Sequence, residues 1–268
     1  MLPGFEYGVF RMSAAQVGGW VPDLDAAGPH PPPPPPASLA SVPSGDRIIV
    51  VAAGGGVGRS TTADLMARQL CVAGPLILID DAPGLVSPRR TLDRGQNGLA
   101  ALVGYGGNSY EVLAPDSPTA RVDAVAAVEA MSTGWATLVV DSYDSVLGLL
   151  QVKRWRRLLT EPGARVLLVT ASATAPVQQA ITAARALRQA GVRPEDLVAA
   201  VVDISAGRVP RPTLARMLML EGEVSAMTRV PHLPHVRATG RLEEGRGGRA
   251  AERAAAGLVQ RLALEEAA

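Results

Sequence analysis

From Ile48 to Thr62 the chain reads Ile-Ile-Val-Val-Ala-Ala-Gly-Gly-Gly-Val-Gly-Arg-Ser-Thr-Thr. An apolar strand, a glycine-rich turn and a helix start follow one another, which is the layout of a phosphate-binding loop. The chemistry of such a loop is electrostatic. Successive backbone N–H groups form a nest for an anion, and the following helix adds its positive end. Glycines let the chain take unusual dihedrals and approach phosphate closely. The candidate nucleotide-binding residues are therefore Gly54, Gly55, Gly56, Val57, Gly58, Arg59, Ser60 and Thr61. The strict G-x-x-x-x-G-K-[ST] pattern is not met, because Ala53 stands at the first glycine and Arg59 at the lysine. Arg59 keeps the positive charge on a longer, planar fork, which is not a conservative exchange at a tight site. Ser60 keeps the hydroxyl that such loops give to Mg²⁺. The competing reading is a plain glycine-rich turn with no ligand.

The elements that must position this loop alternate from Arg47 onward. Strands are predicted at 47–52, 76–80, 137–141, 165–170, 197–203 and 226–230. They are rich in Val, Ile and Leu without polar alternation, as in strands covered on both faces. Helices are predicted at 60–73, 120–131, 146–159, 176–190 and 212–220. This order implies an α/β domain, a doubly wound and mostly parallel sheet with helices on both faces. Ligands in such sheets bind outside the carboxyl ends of the strands. The glycine loop lies at such an end, and so do Asp80, Asp141 and Asp203.

The 268 residues divide into a segment 1–45 and a domain 46–268. The first segment carries an uninterrupted run from Pro31 to Pro36, a stiff and solvated spacer expected to be disordered. Ahead of it lie Phe5, Tyr7, Phe10 and Trp20, in a chain with 2 Phe, 4 Tyr and 3 Trp. An aromatic segment on a proline tether is a candidate docking peptide. Packing back on its own domain and a misassigned start codon are the alternatives.

Hydrophobic content of 47% supports a sizeable core, and a net charge of +1 supplies no global field to draw in nucleic acid. Cys71 is the only cysteine, which excludes an internal disulfide and a cysteine metal cluster. No apolar run reaches the length of a membrane helix and no secretory signal is read at the N-terminus, so the expected location is cytoplasmic.

These residues resemble the MinD/ParA family of deviant Walker ATPases. The family loop K-G-G-V-G-K-[ST]-T matches Gly54-Gly55-Gly56-Val57-Gly58-Arg59-Ser60-Thr61 without gaps. The family's D-x-D-P is similar to Asp80-Asp81-Ala82-Pro83, its later apolar strand ending in Asp to Leu138–Asp141, and its late Pro-containing region to Val230–Gly240. The resemblance implies ATP and Mg²⁺ as cofactors. Ser60 would bind the metal, Asp141 would order its water shell, and Asp80 would sit near it and is the one catalytic candidate. Asp203 falls where the family has the Asn that reads adenine. Ordinary strand-end carboxylates are the alternative for Asp80 and Asp141.

Four departures fall on the family's chemical positions. Gly54 stands at the lysine that reaches across a dimer, and Arg59 at the loop lysine. Ala82 stands at the Asp that positions the attacking water, and Asp203 at the adenine-reading Asn. Losing a cross-dimer cation and a water-orienting carboxylate costs roughly 3–4 kcal/mol each in transition-state stabilisation, by analogy with single donors. The expected function is nucleotide binding with ATP hydrolysis impaired or lost, in a regulatory or positioning partner of a larger assembly. Asp81–Leu85 and the proline-rich N-terminus resemble ParA-like proteins of actinobacterial type VII secretion. An active partitioning or positioning ATPase, and a nucleotide-free pseudo-ATPase scaffold, are the other readings.

A protein partner is expected through residues 1–45 or the sheet surface, and a homodimer is implied by the family. The apolar face Ala251, Ala255, Leu258 and Leu262 of the last helix is expected to pack on the sheet rather than on a membrane. Arg208, Arg211, Arg216 and Arg229 are read as scattered solvated arginines rather than a DNA patch.

Overall fold

Runs of Val, Ile and Leu too apolar for a half-solvated sheet need cover on both faces, and they find it. A computed structural model describes residues 46–95, 98–131, 136–233 and 248–263. Eight strands are present among them: β1 (Arg47–Ala52), β2 (Leu76–Asp80), β3 (Ala100–Val103), β4 (Ser109–Leu113), β5 (Thr137–Ser145), β6 (Ala164–Ala171), β7 (Leu197–Val202) and β8 (Ala226–Val230). They form one sheet in the order β3-β4-β2-β5-β1-β6-β7-β8. Every adjacent pair is parallel except β3 with β4, an antiparallel hairpin at one edge.

The helices are α1 (Arg59–Leu70), α2 (Ala124–Met131), α3 (Val146–Gln151), α4 (Lys153–Thr160), α5 (Thr174–Ala190), α6 (Arg211–Glu221) and α7 (Gly248–Ala263). Strand side chains alternate between two cores. Ile48, Val50 and Ala52 of β1 pack with α1 and α7, while Ile49 and Val51 pack with residues of α2 through α6. Ala251, Ala255, Leu258 and Leu262 are all buried on the α1 side, so the face read in the last helix does cover the sheet. Full burial of Leu258 and Leu262 stabilises by about 1.5–3 kcal/mol each.

β1 lies between β5 and β6. Strands β6 to β8 continue to one side and β5, β2 and β4 to the other. The turn after β1 thus opens at the point where the strand order reverses, the ligand crevice of such sheets.

The structure departs from the sequence reading in three places. The β3–β4 hairpin was not expected; its turn runs through Gly106 and Gly107, both with positive φ. β5 continues past Asp141 to Ser145, and its register with β1 shifts between Val50 and Ala52. That bulge pushes Tyr143 and Asp144 out of the ladder, pinned by the Ser142 hydroxyl on the Val50 carbonyl at 2.8 Å. The helix expected over 146–159 breaks at Val152, whose backbone is extended. A continuous helix that buries Val146 and Leu149 would turn Arg156 inward. The break rephases the chain so that Trp155, Leu158 and Leu159 face the core instead. Residues 1–45, with the proline run and the candidate docking peptide, lie outside the described residues.

Candidate functional site

The turn after β1 carries Gly56 at φ 72° and Gly58 at φ 88°. Gly58 is the N-cap of α1 and offers no side chain to its first turn. A Cβ at Gly58 would be strained and would lie 3.1 Å from Val202. The first N–H groups of a helix have no partner within it. Thr62 is tied back to the Gly58 carbonyl by its N–H and its hydroxyl, both at 2.9 Å. What remains ahead of it is a glycine turn and a helix N-terminus open to an anion. Beside this turn lies a cavity of about 360 Å³, lined by Gly56, Gly58, Thr61, Asp203, Pro231 and His232 among others. Its size falls in the range of small-molecule sites.

Behind the loop the carboxylates converge on Arg89. Its side chain is 3% exposed. Nη1 donates to Asp141 Oδ2 at 2.8 Å and lies 3.3 Å from Asp80 Oδ2. Nε and Nη2 donate to Asp64 Oδ1 at 3.0 and 2.9 Å, and Nη2 also to the Ser60 carbonyl at 3.1 Å. Asp80 is held further by the Ala82 N–H at 3.0 Å and the Ser87 hydroxyl at 2.7 Å. Burial pushes the Asp64 and Asp80 carboxyls above the usual carboxylate range, against the pull of Arg89. Burial also works against the charge on Arg89, but Asp64, Asp80 and Asp141 outweigh it and hold the guanidinium firmly protonated.

Arg59 turns back towards the bulge in β5. Its Nε is 3.4 Å from Asp141 Oδ1, and Nη1 donates to the Asp144 carbonyl at 3.2 Å. Its guanidinium lies 5.9 Å from the Tyr143 ring centroid, and that of Arg121 lies 5.8 Å away. Asp81 accepts from Arg121 Nη2 at 2.9 Å and from the Tyr143 N–H at 3.2 Å. Burial pushes its carboxyl up to about 6, with Arg121 opposing.

No protein-family model matches the chain, and no curated protein matches it in sequence. Solved structures do match in fold. The Pyrococcus furiosus cell division ATPase MinD superposes with a TM-score of 0.55 at 14% identity, over 84% of this chain and 100% of that one. Pyrococcus horikoshii MinD, solved with Mg-ADP, gives 0.51 at 13% identity over 82% and 96%. The Aquifex aeolicus MinC:MinD complex gives 0.51 at 16% identity over 81% and 95%. The fold is that of the MinD cell division ATPases.

On this MinD-like fold the glycine turn, Ser60, Thr61, Asp80, Asp141 and Asp203 all lie at the carboxyl edge of the sheet. Asp203 is engaged by Arg229, whose Nη2 donates to both carboxylate oxygens at 2.8 and 2.9 Å. Gly54 faces α5, where a Cβ would lie 3.3 Å from Gln179 Oε1. Asp81 is held by Arg121 and the Tyr143 N–H.

Of the residues read as metal ligands, Asp80 and Asp141 share the Arg89 guanidinium, while Ser60 meets it through its backbone carbonyl and not its hydroxyl. Mg²⁺ asks for near-octahedral oxygen ligands at about 2.0–2.1 Å. With Asp80 and Asp141 both committed to Arg89, the donor set does not fit that ion. Among the described residues no group of three His, Cys, Asp or Glu side chains is arranged to hold a metal. Sequence reasoning missed Arg89, Asp64, Arg121 and Tyr143. The available signal was Arg89 six residues beyond the Asp80–Pro83 motif, a buried-site candidate hidden among the chain's many arginines.

Proposed function

We propose that this chain binds a nucleoside di- or triphosphate, ATP or ADP, and works as a regulatory or positioning protein with little or no hydrolysis. The phosphates lie on Gly54–Thr61 and the nucleoside enters the cavity beside Asp203 and His232. The observation that carries this reading is the cavity of about 360 Å³ opening directly onto Gly56, Gly58 and Thr61. The Mg-ADP in the Pyrococcus horikoshii structure supports the ligand class, and the MinC:MinD complex supports a protein partner. Impaired turnover follows from Ala82 where the family orients water and from Gly54 where it places a cation. Type VII secretion is the assembly suggested by the resemblance of Asp81–Leu85 and the N-terminus.

The test is calorimetric titration of ATP and ADP into the full chain and into Thr61→Asp. Asp at the third helical position suits the helix dipole, so the fold is retained while the added charge repels phosphate. Binding that weakens at least tenfold in the variant supports the site. No binding by the wild-type chain at millimolar nucleotide refutes it.

A further inference from the structure

We propose that Arg89 is a resident counter-ion that takes over the place of a divalent cation, so that nucleotide binding needs no Mg²⁺. This rests on the nucleotide reading above. The segment after Asp80 is built to deliver the arginine. The N–H groups of Val86 and Ser87 both return to the Pro83 carbonyl at 2.9 Å, closing a tight turn. The Ser87 hydroxyl donates to Asp80 and accepts the Arg89 N–H at 3.1 Å, clamping the turn to the strand end. Arg89 then reaches α1, β2 and β5 at once, through Asp64 with the Ser60 carbonyl, Asp80 and Asp141.

Every one of these partners is an oxygen, the ligand set a hard cation would use. A guanidinium offers five fixed donors and does not deprotonate in proteins. It therefore meets the carboxylates permanently, where a metal would have to be captured from solution and stripped of water. Arg59 Nε lies 3.4 Å from the remaining Asp141 oxygen, an ion-pair distance without a hydrogen bond. A dication entering here would have to displace one guanidinium and sit beside another. The charge facing the loop from behind is thus supplied by the chain itself.

Calorimetry on the full chain compares ATP in Mg²⁺ with ATP in EDTA. Affinities equal within about twofold are expected, and a loss of tenfold or more in EDTA overturns the inference while leaving the nucleotide site intact. Titration with Mn²⁺ in the absence of nucleotide, followed by electron paramagnetic resonance, decides the matter even if neither form binds ATP. The wild-type chain is expected to leave Mn²⁺ free at about millimolar levels, and Arg89→Met, which leaves Asp80 and Asp141 facing the place of one Arg89 nitrogen at 3.3 and 2.8 Å, to bind it there with water as the remaining ligands and to gain thermal stability from it. Mn²⁺ binding by the wild-type chain, or none by a folded Arg89→Met chain, overturns the proposal. Should that variant not fold without metal, its refolding on added Mn²⁺ is the expected result and failure to refold the contrary one.

Discussion

Replacing Arg89 by Met removes a cation from between three carboxylates and leaves an apolar chain of similar length. Asp80 and Asp141 are 0% and 2% exposed, so neither can turn to water. Breaking a buried ion pair by removing one partner costs about 3–5 kcal/mol, and here the orphaned charge is shared over several groups. At about 1.4 kcal/mol per decade, the folded-to-unfolded ratio falls by roughly two to four orders of magnitude. The dependence on pH fixes the cause. Burial already holds the Asp64 and Asp80 carboxyls above their ordinary value, and Arg89 opposes that rise. Without it they rise further. A carboxyl raised in the folded state gives its full stabilisation below the unfolded pKa and loses it as pH rises through the folded one. The deficit of Arg89→Met against wild type is therefore largest near pH 8 and shrinks towards pH 5. Urea unfolding of both chains in EDTA at the two pH values measures it. A deficit below about 1 kcal/mol, or one that does not change with pH, would refute the view of Arg89 as a buried counter-ion.

Asp81→Asn keeps an acceptor for Arg121 and the Tyr143 N–H but cannot titrate. Since the wild-type carboxyl is raised to about 6, wild type loses stability as pH rises through 6; the variant gains about 3 kcal/mol at pH 7.5 and almost nothing below pH 4, read by chemical denaturation. Gly84→Ala puts a methyl against the Ser117 carbonyl and is expected to lower stability by about 3 kcal/mol or more, as a drop in Tm; an unchanged Tm would show that the turn relaxes freely. Asp203→Asn gives up a half-exposed pair with Arg229 at a cost below about 1 kcal/mol and adds a donor, so adenine nucleotide affinity rises about two- to tenfold. A fall in calorimetric affinity would instead assign the Arg229 pair a role in shaping the cavity.

The strands of the parallel sheet were legible because burial on both faces removes polar residues from them, as in Ile48–Val51 and Val166–Val169. The glycine turn was legible because positive φ at Gly56 and Gly58 restricts the residue types allowed there. The edge hairpin was less so. Ala101 and Val103 on β3 are exposed beside buried Ala100, and the strand is too short for its alternation to stand out. The site itself was legible only in its backbone part. Arg89 reaches Asp141 across 52 residues of sequence, a contact made by the sheet order and the bulge in β5, and no local pattern encodes it. Arg59 could be read as a departure from lysine, but not its turn towards Asp144, which depends on the extra residues of β5 leaving the ladder.

The packing of α7 on α1 sets a timetable for the chain during synthesis. The helix that follows the glycine turn is made well before α7, yet Ala63, Leu65 and Met66 share their core with Ala251, Ala255 and Leu258 of that later helix. β1 likewise waits for β5 and β6, its neighbours on either side. Until residues near 260 emerge, an apolar face beside the loop stays bare, exposed to aggregation and open to chaperones. Completion of the loop's support thus waits for the synthesis of α7, and a chain stopped short of it would present a formed glycine turn on an unfinished core.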